Sequence, residues 1–252
     1  MQHVSRRRFM KLASATGAAL MLGDLTGSLP FTRSRRVAYA AEPIKVGIID
    51  PLSGPYSTSS IHDVHGATVA VDRFNKSGGV LGRPVRLVEA DDASNVRTGL
   101  TAAAKLIKDD RVDFLMGTLN GEVALAVGDF AKAENRLFMV TGAHVPELTG
   151  SGCNSHTFVF MPNAWMLSKA VTPYLVKTYG TRWFMITAET MDGRAAEQAM
   201  TDALLARGGN VLGSVGTAFG TTDFAVALTQ AKAVKPDAVI LNLYGWDLVH
   251  AL

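Results

Sequence analysis

Short apolar runs rich in β-branched residues alternate with segments whose apolar residues recur at helical spacing, and this alternation constrains the fold more than any other feature of the chain. "IKVGIID" (44–50), "VRLVEADD" (85–92), "VDFLMG" (112–117) and "LFMVT" (137–141) read as strands. Between them Ile61, Val64, Thr68 and Val71 form one apolar stripe, and Val96, Leu100, Ala103 and Ile107 form another. "EVALAVGDFAKAE" (122–134) is a third helix, weakened by Gly128. After "TFVFMPN" the alternation begins again. Helix 164–180, in which Pro173 predicts a kink, leads to strand 182–188, helix 192–209, the strand from Asn210, helix 221–234 and strand 237–243. The chain then ends within a further helical segment.

Strands joined through helices by short loops demand parallel sheets with helices on both faces. In such sheets a ligand sits beyond the carboxyl ends of the strands, close to helix N-termini with unpaired N–H groups. The expected fold class is α/β, with two doubly wound parallel lobes. Residues 41–161 would form the first lobe and 162–252 a second, incomplete one, because a sheet ending there has an unfilled edge.

Residues 1–40 stand outside this pattern. "SRRRFMK" (Ser5–Lys11) is a paired-arginine run, followed by the weakly apolar "LASATGAALMLG" and by "AYA" at 38–40. Basic region, apolar region and small-residue site in that order are the layout of an export signal, here of the twin-arginine kind. This segment holds seven of the 25 Lys and Arg residues and one of the 22 acidic ones, leaving 18 basic and 21 acidic groups, or −3, in the rest. The alkaline pI of about 9.0 therefore belongs to the signal. No basic patch remains to suggest nucleic acid as a partner. No run of about 18 apolar residues reads as a membrane-spanning helix. The single cysteine, Cys153, cannot form an internal disulfide and reads as a bystander in a loop.

Catalytic signatures are missing where this architecture would carry them. No G-x-G-x-x-G follows the first strand, and Pro51 and Pro55 stand where a dinucleotide binder needs glycine. Neither a phosphate loop nor a G-x-S-x-G nucleophile elbow is present. His62 and His65 could in principle share a metal, but with Asp72 and Lys76 they read as a solvated helix face. Asp91 and Asp92 read as a pair that fixes a turn and caps the next helix, rather than as an acid and base. No cofactor, no metal and no enzyme activity are expected.

The strand ends instead share groups suited to holding a small polar molecule. "SGPY" (53–56), "TLNG" (118–121) and "TGAH" (141–144) each follow a strand of the first lobe. They bring Ser53, Tyr56, Asn120, Gly142, Ala143 and His144 to one edge, with backbone N–H groups left accessible by small residues. Gly142 and Ala143 would offer N–H groups to an anionic or amide oxygen, and His144 would add a directed donor. Tyr56 and Trp246 are aromatics able to cover an apolar ligand tail, whereas Trp165 and Trp183 fit core positions.

"IKVGIIDPLSGPY", "NKSGGVLGRPVRLVEADDAS", "AAAKLIKDDRVDFLMG", "VPELT", "GTTDFAVALTQAKAVKPDAVIL" and "YGWD", in this order from Ile44 onward, resemble the leucine/isoleucine/valine-type solute-binding proteins of ABC importers. The resemblance implies a type I periplasmic binding protein fold, a ligand clamped between two lobes and delivery to an inner-membrane permease. It places Gly121 where amino-acid-binding members offer a serine to the ligand carboxylate, and Gly142, Ala143 and His144 where they offer backbone groups and a threonine. It also places Asp192, before Gly193, where an aromatic residue is frequent, and Tyr244 at a tyrosine on the cleft. The implied protein is a periplasmic monomer that binds a branched-chain or related amino acid. The alternatives are a ligand-sensing receptor on the same fold and a binder of short amides, urea or aromatic carboxylates.

Overall fold

A computed structural model describes residues 42–252. The export-signal reading of residues 1–40 lies outside the described residues. Strand β1 (Ile44–Asp50) is followed by α1 (Ser57–Lys76), β2 (Val85–Asp91), α2 (Val96–Lys108), β3 (Phe114–Gly117), α3 (Gly121–Ala133) and β4 (Phe138–Val140). A 3₁₀ turn (Pro146–Thr149) and β5 (Thr157–Val159) complete the first sheet, whose order is β2-β1-β3-β4-β5 with every pairing parallel. Then come α4 (Ala164–Tyr179), β6 (Arg182–Ala188), α5 (Met191–Leu205), β7 (Asn210–Thr217), α6 (Ala225–Ala233), β8 (Ala238–Asn242) and α7 (Gly245–Ala251). The second sheet is smaller, with order β7-β6-β8, and also parallel.

The cores follow from the strand period. In the first lobe Ile49, Leu115, Phe138 and Val140 meet Ala103, Leu106 and Ile107 of α2 and Val123 and Val127 of α3 in one apolar cluster. In the second lobe β6 feeds two clusters, because successive side chains point to opposite faces. Trp183 and Met185 pack with Leu204 on one face, while Phe184, Ile186 and Ala188 pack with Phe224, Ala227 and Leu243 on the other. That division is what helices on both faces of a parallel sheet require.

Side-chain caps set the helix starts. The carboxamide oxygens of Asn95, Asn120 and Asn163 accept the N–H groups of Thr98, Val123 and Met166, and Thr190 Oγ1 accepts that of Gly193. Each satisfies one N–H that the first helical turn leaves unpaired. Asp91 and Asp92 fix the preceding turn, since Asp91 Oδ1 accepts the N–H groups of Leu52, Ser53 and Ala93 and Asp92 Oδ1 that of Ser94. The helix cap expected of the pair falls instead to Asn95. Gly117 is needed at the end of β3: its φ is +118°, and a Cβ there would overlap the carbonyl of Ile49 on the adjacent strand.

Several expectations are corrected. Of the stripe on α1 only Val64 is buried, and Ile61 is 49% exposed. Trp183 is a core residue as expected, whereas Trp165 is 51% exposed and carries the Lys169 ammonium 4.4 Å above its ring. Helix α6 begins at Ala225 rather than Thr221, because Asp223 Oδ1 turns back to accept the Ala225 N–H. Strand β5 is an addition: its three residues are too few for a periodic signal, and it is parallel pairing with β4 that makes it a strand.

Candidate functional site

The carboxyl ends of the strands deliver the loops expected to carry a site, and a cavity of about 180 Å³ opens among them. Tyr56, Ser59, Leu119, Gly142, His144, Asp192 and Tyr244 line it. The first lobe contributes Tyr56 and Ser59 at the start of α1, Leu119 after β3, and Gly142 and His144 after β4. From the second come Asp192 in the first turn of α5 and Tyr244 at the cap of α7. Tyr56 is buried; its ring centroid lies 4.5 Å from that of Phe219 and 6.1 Å from that of Tyr244, so aromatic side chains of both lobes meet at the cavity. Burial, followed by the charge of Asp192, pushes both tyrosine phenols above their ordinary range, so at neutral pH they are neutral hydroxyls.

Asp192 joins the lobes directly. Its side chain is buried, with Oδ2 accepting the N–H of Gly121 (2.7 Å) and Oδ1 accepting the N–H of His144 (3.1 Å). Burial raises its carboxyl above the usual range, and these two N–H groups oppose the rise. A second joint forms where Trp246 donates its N–H to the carbonyl of Pro55 (3.3 Å). Beside it Asp247, also buried, accepts the N–H of Gly220 (3.0 Å).

Of the residues expected from sequence, Tyr56, Gly142, His144, Asp192 and Tyr244 converge on the cavity. Gly121 is not in the lining; its N–H donates to Asp192, which is. Asn120 is buried beside it, and its side-chain oxygen caps α3. Ala143 is wholly buried in the first-lobe core, so its side chain supports the loop from behind. Ser53 lies apart on an exposed turn, where its N–H donates to Asp91 Oδ1 (3.3 Å). Trp246 lines a different hollow, with Pro55, Gly220, Asp247 and His250. His62 and His65 are both exposed on α1.

His144 has one ring nitrogen engaged by the protein itself. Its Nδ1 lies 2.7 Å from the carbonyl of Pro162, which only accepts, so Nδ1 carries the proton. The Nδ1 donor is therefore spent within the protein, and Nε2 is the ring nitrogen left to face a solute. Sequence reasoning missed Ser59 and Leu119. Ser59 lies three residues past Tyr56 on the first turn of α1, and Leu119 lies inside the "TLNG" loop already singled out, so position beyond a strand end was the available signal.

A cavity beyond the carboxyl ends of parallel strands, walled by two α/β lobes, defines the class of the molecule as a two-lobe ligand-binding fold. Residues 43–252 match the family described as periplasmic binding protein, and the chain belongs to that family. It is 32% identical over 206 residues to the Leu/Ile/Val-binding protein BraC3 of Rhizobium johnstonii, a match covering 80% of this chain and 54% of the relative. With the Leu/Ile/Val-binding protein of Escherichia coli K12 it shares 26% over 212 residues, covering 84% and 58%. A crystal structure of a periplasmic binding protein from Burkholderia mallei superposes with a TM-score of 0.74 at 29% identity, over 83% of this chain and 56% of that one. A solute-binding protein of an ABC transporter from R. palustris, in complex with benzoate, shares the fold with a TM-score of 0.77 at 24% identity, over 82% and 57%. The chain thus spans little more than half the length of these relatives.

Proposed function

We propose that this chain is the exported solute-binding component of an ABC importer, which takes up a small polar solute between its two lobes and presents it to an inner-membrane permease. Residues 1–40 would direct twin-arginine export to the periplasm, residues 41–161 would form the first lobe and residues 162–252 the second, in a protein acting as a monomer. The observation that carries this reading is that Tyr56 of one lobe and Asp192 and Tyr244 of the other line a single cavity of about 180 Å³. Closing two walls around a solute removes it from water and changes the outer shape that a permease meets, so binding and delivery need no covalent step. Tyr56, Ser59, Gly142, His144, Asp192 and Tyr244 would contact the solute, with Asn120, Gly121 and Ala143 holding the loops that carry them. Branched-chain amino acids are the first solutes to try, as the curated relatives are Leu/Ile/Val-binding proteins. Short amides, urea and aromatic carboxylates complete the panel.

Isothermal titration of the chain against this panel, repeated on Tyr56→Ala and Tyr244→Ala, tests the reading. One solute is expected to bind, and each substitution to weaken it by about tenfold or more, since each removes an aromatic surface of one wall. Affinity indifferent to both substitutions would place the solute elsewhere, and failure of the whole panel would overturn the reading.

A further inference from the structure

The two loops of the first lobe that face the cavity aim two backbone N–H groups at one place, and that place already holds a carboxylate. Asp192 reaches it from the opposite lobe, one oxygen on the Gly121 N–H at 2.7 Å and the other on the His144 N–H at 3.1 Å. Neither donor is left for a solute anion. No lysine or arginine lines the cavity among the described residues, and the Nδ1 donor of His144 is engaged by the Pro162 carbonyl. A second carboxylate here would be placed beside the first with no lysine or arginine to pair with either, which costs both desolvation and repulsion. A neutral amide or an amine meets the opposite situation: its N–H groups find the lone pairs of Asp192 and the hydroxyls of Tyr56, Tyr244 and Ser59.

Resting on the reading of this cavity as the solute site, we propose that Asp192 is its specificity-determining residue: it fills the anion position with the protein's own carboxylate and selects amide- or amine-bearing solutes over carboxylates. Selection by occupying a position, rather than by adding a contact, is specificity through exclusion of the competitor.

The test uses two acid and amide pairs, leucine with leucinamide and benzoate with benzamide, titrated by calorimetry into the native chain and into Asp192→Ala and Asp192→Asn. In at least one pair the native chain is expected to bind the amide about tenfold or more tightly than the acid, the scale set by like-charge juxtaposition. Asp192→Ala frees both N–H groups and is expected to tighten the acid and lower that ratio by about tenfold or more. Asp192→Asn, which conserves side-chain volume, should shift the ratio in the same direction by less. The amide resonances of Gly121 and His144 give a reading on the native chain alone, and they should stay in place under excess benzoate. An acid preferred by the native chain in both pairs, a ratio that Asp192→Ala leaves unchanged, or benzoate-induced movement of those two resonances would overturn the proposal while leaving a solute-binding protein. Failure of every chain to bind any of the four compounds would overturn the proposal, and failure of the whole panel would overturn both.

Discussion

Asp50 ends β1 wholly buried, with neither carboxylate oxygen hydrogen-bonded. Burial first, then the charges of Asp63 and Asp92, push its carboxyl up to about 8. In the unfolded chain the same group titrates near 4, so between these values the folded state binds the extra proton and stability falls as pH rises. The contribution is fully present below about pH 4 and lost by passage through about pH 8, a change on the order of several kcal/mol. Asp50→Asn, neutral throughout, is expected to flatten the decline in unfolding free energy measured by urea denaturation at pH 5 and pH 8; an undiminished slope would show that Asp50 is not its source. Asp92 and Asp192 are also raised by burial and would leave a smaller residual slope of the same sign. At this scale the sequence showed which residues stand beyond strand ends, and so Tyr56, Gly142 and His144 were legible as cavity residues. The bridge made by Asp192 was not, because its partners lie 71 and 48 residues away and meet it only when two separately folded loops and a helix of the other lobe come together.

The elements owe their starts and spacing to a few positions that substitution can probe. Asn120 holds the first turn of α3 through a 3.1 Å hydrogen bond from the Val123 N–H, so Asn120→Ala should lower stability by about 1 kcal/mol and Asn120→Asp should retain it. Equal unfolding midpoints for all three chains would show that the cap contributes nothing. Gly99 lets α2 approach α3: a Cβ there would sit 2.6 Å from Cγ1 of Val123, which is itself fully buried. Gly99→Ala is therefore expected to destabilise by about 1–3 kcal/mol through overpacking, in spite of the better helix propensity of alanine. A stabilised Gly99→Ala chain in thermal denaturation would mean that the two helices separate freely. Elements carried by strong periodicity were legible, as β1, β2 and β6 are strands over nearly the residues expected from their apolar runs. Those fixed by context were not: β5 exists because β4 offers it a parallel edge, and the first turn of α6 is lost to the side chain of Asp223.

At the scale of the molecule, two parallel sheets turn the ends of β1, β3, β4, β6 and β8 toward one cavity, and the lobes touch through Asp192, through Tyr56 with Phe219, and through Trp246 with Pro55. The repeated strand and helix alternation made the two-lobe α/β fold legible, because only parallel sheets with crossover helices satisfy it. The placing of one lobe against the other depends on contacts between distant segments, and no periodicity encodes it. A solute held by both walls links those segments and stabilises only the folded chain. The most direct measurement is a thermal melt of the chain over a concentration series of branched-chain amino acids, short amides, urea and aromatic carboxylates. The account predicts a cooperative transition whose midpoint rises with the logarithm of one solute's concentration. A cooperative transition that no solute moves would contradict it.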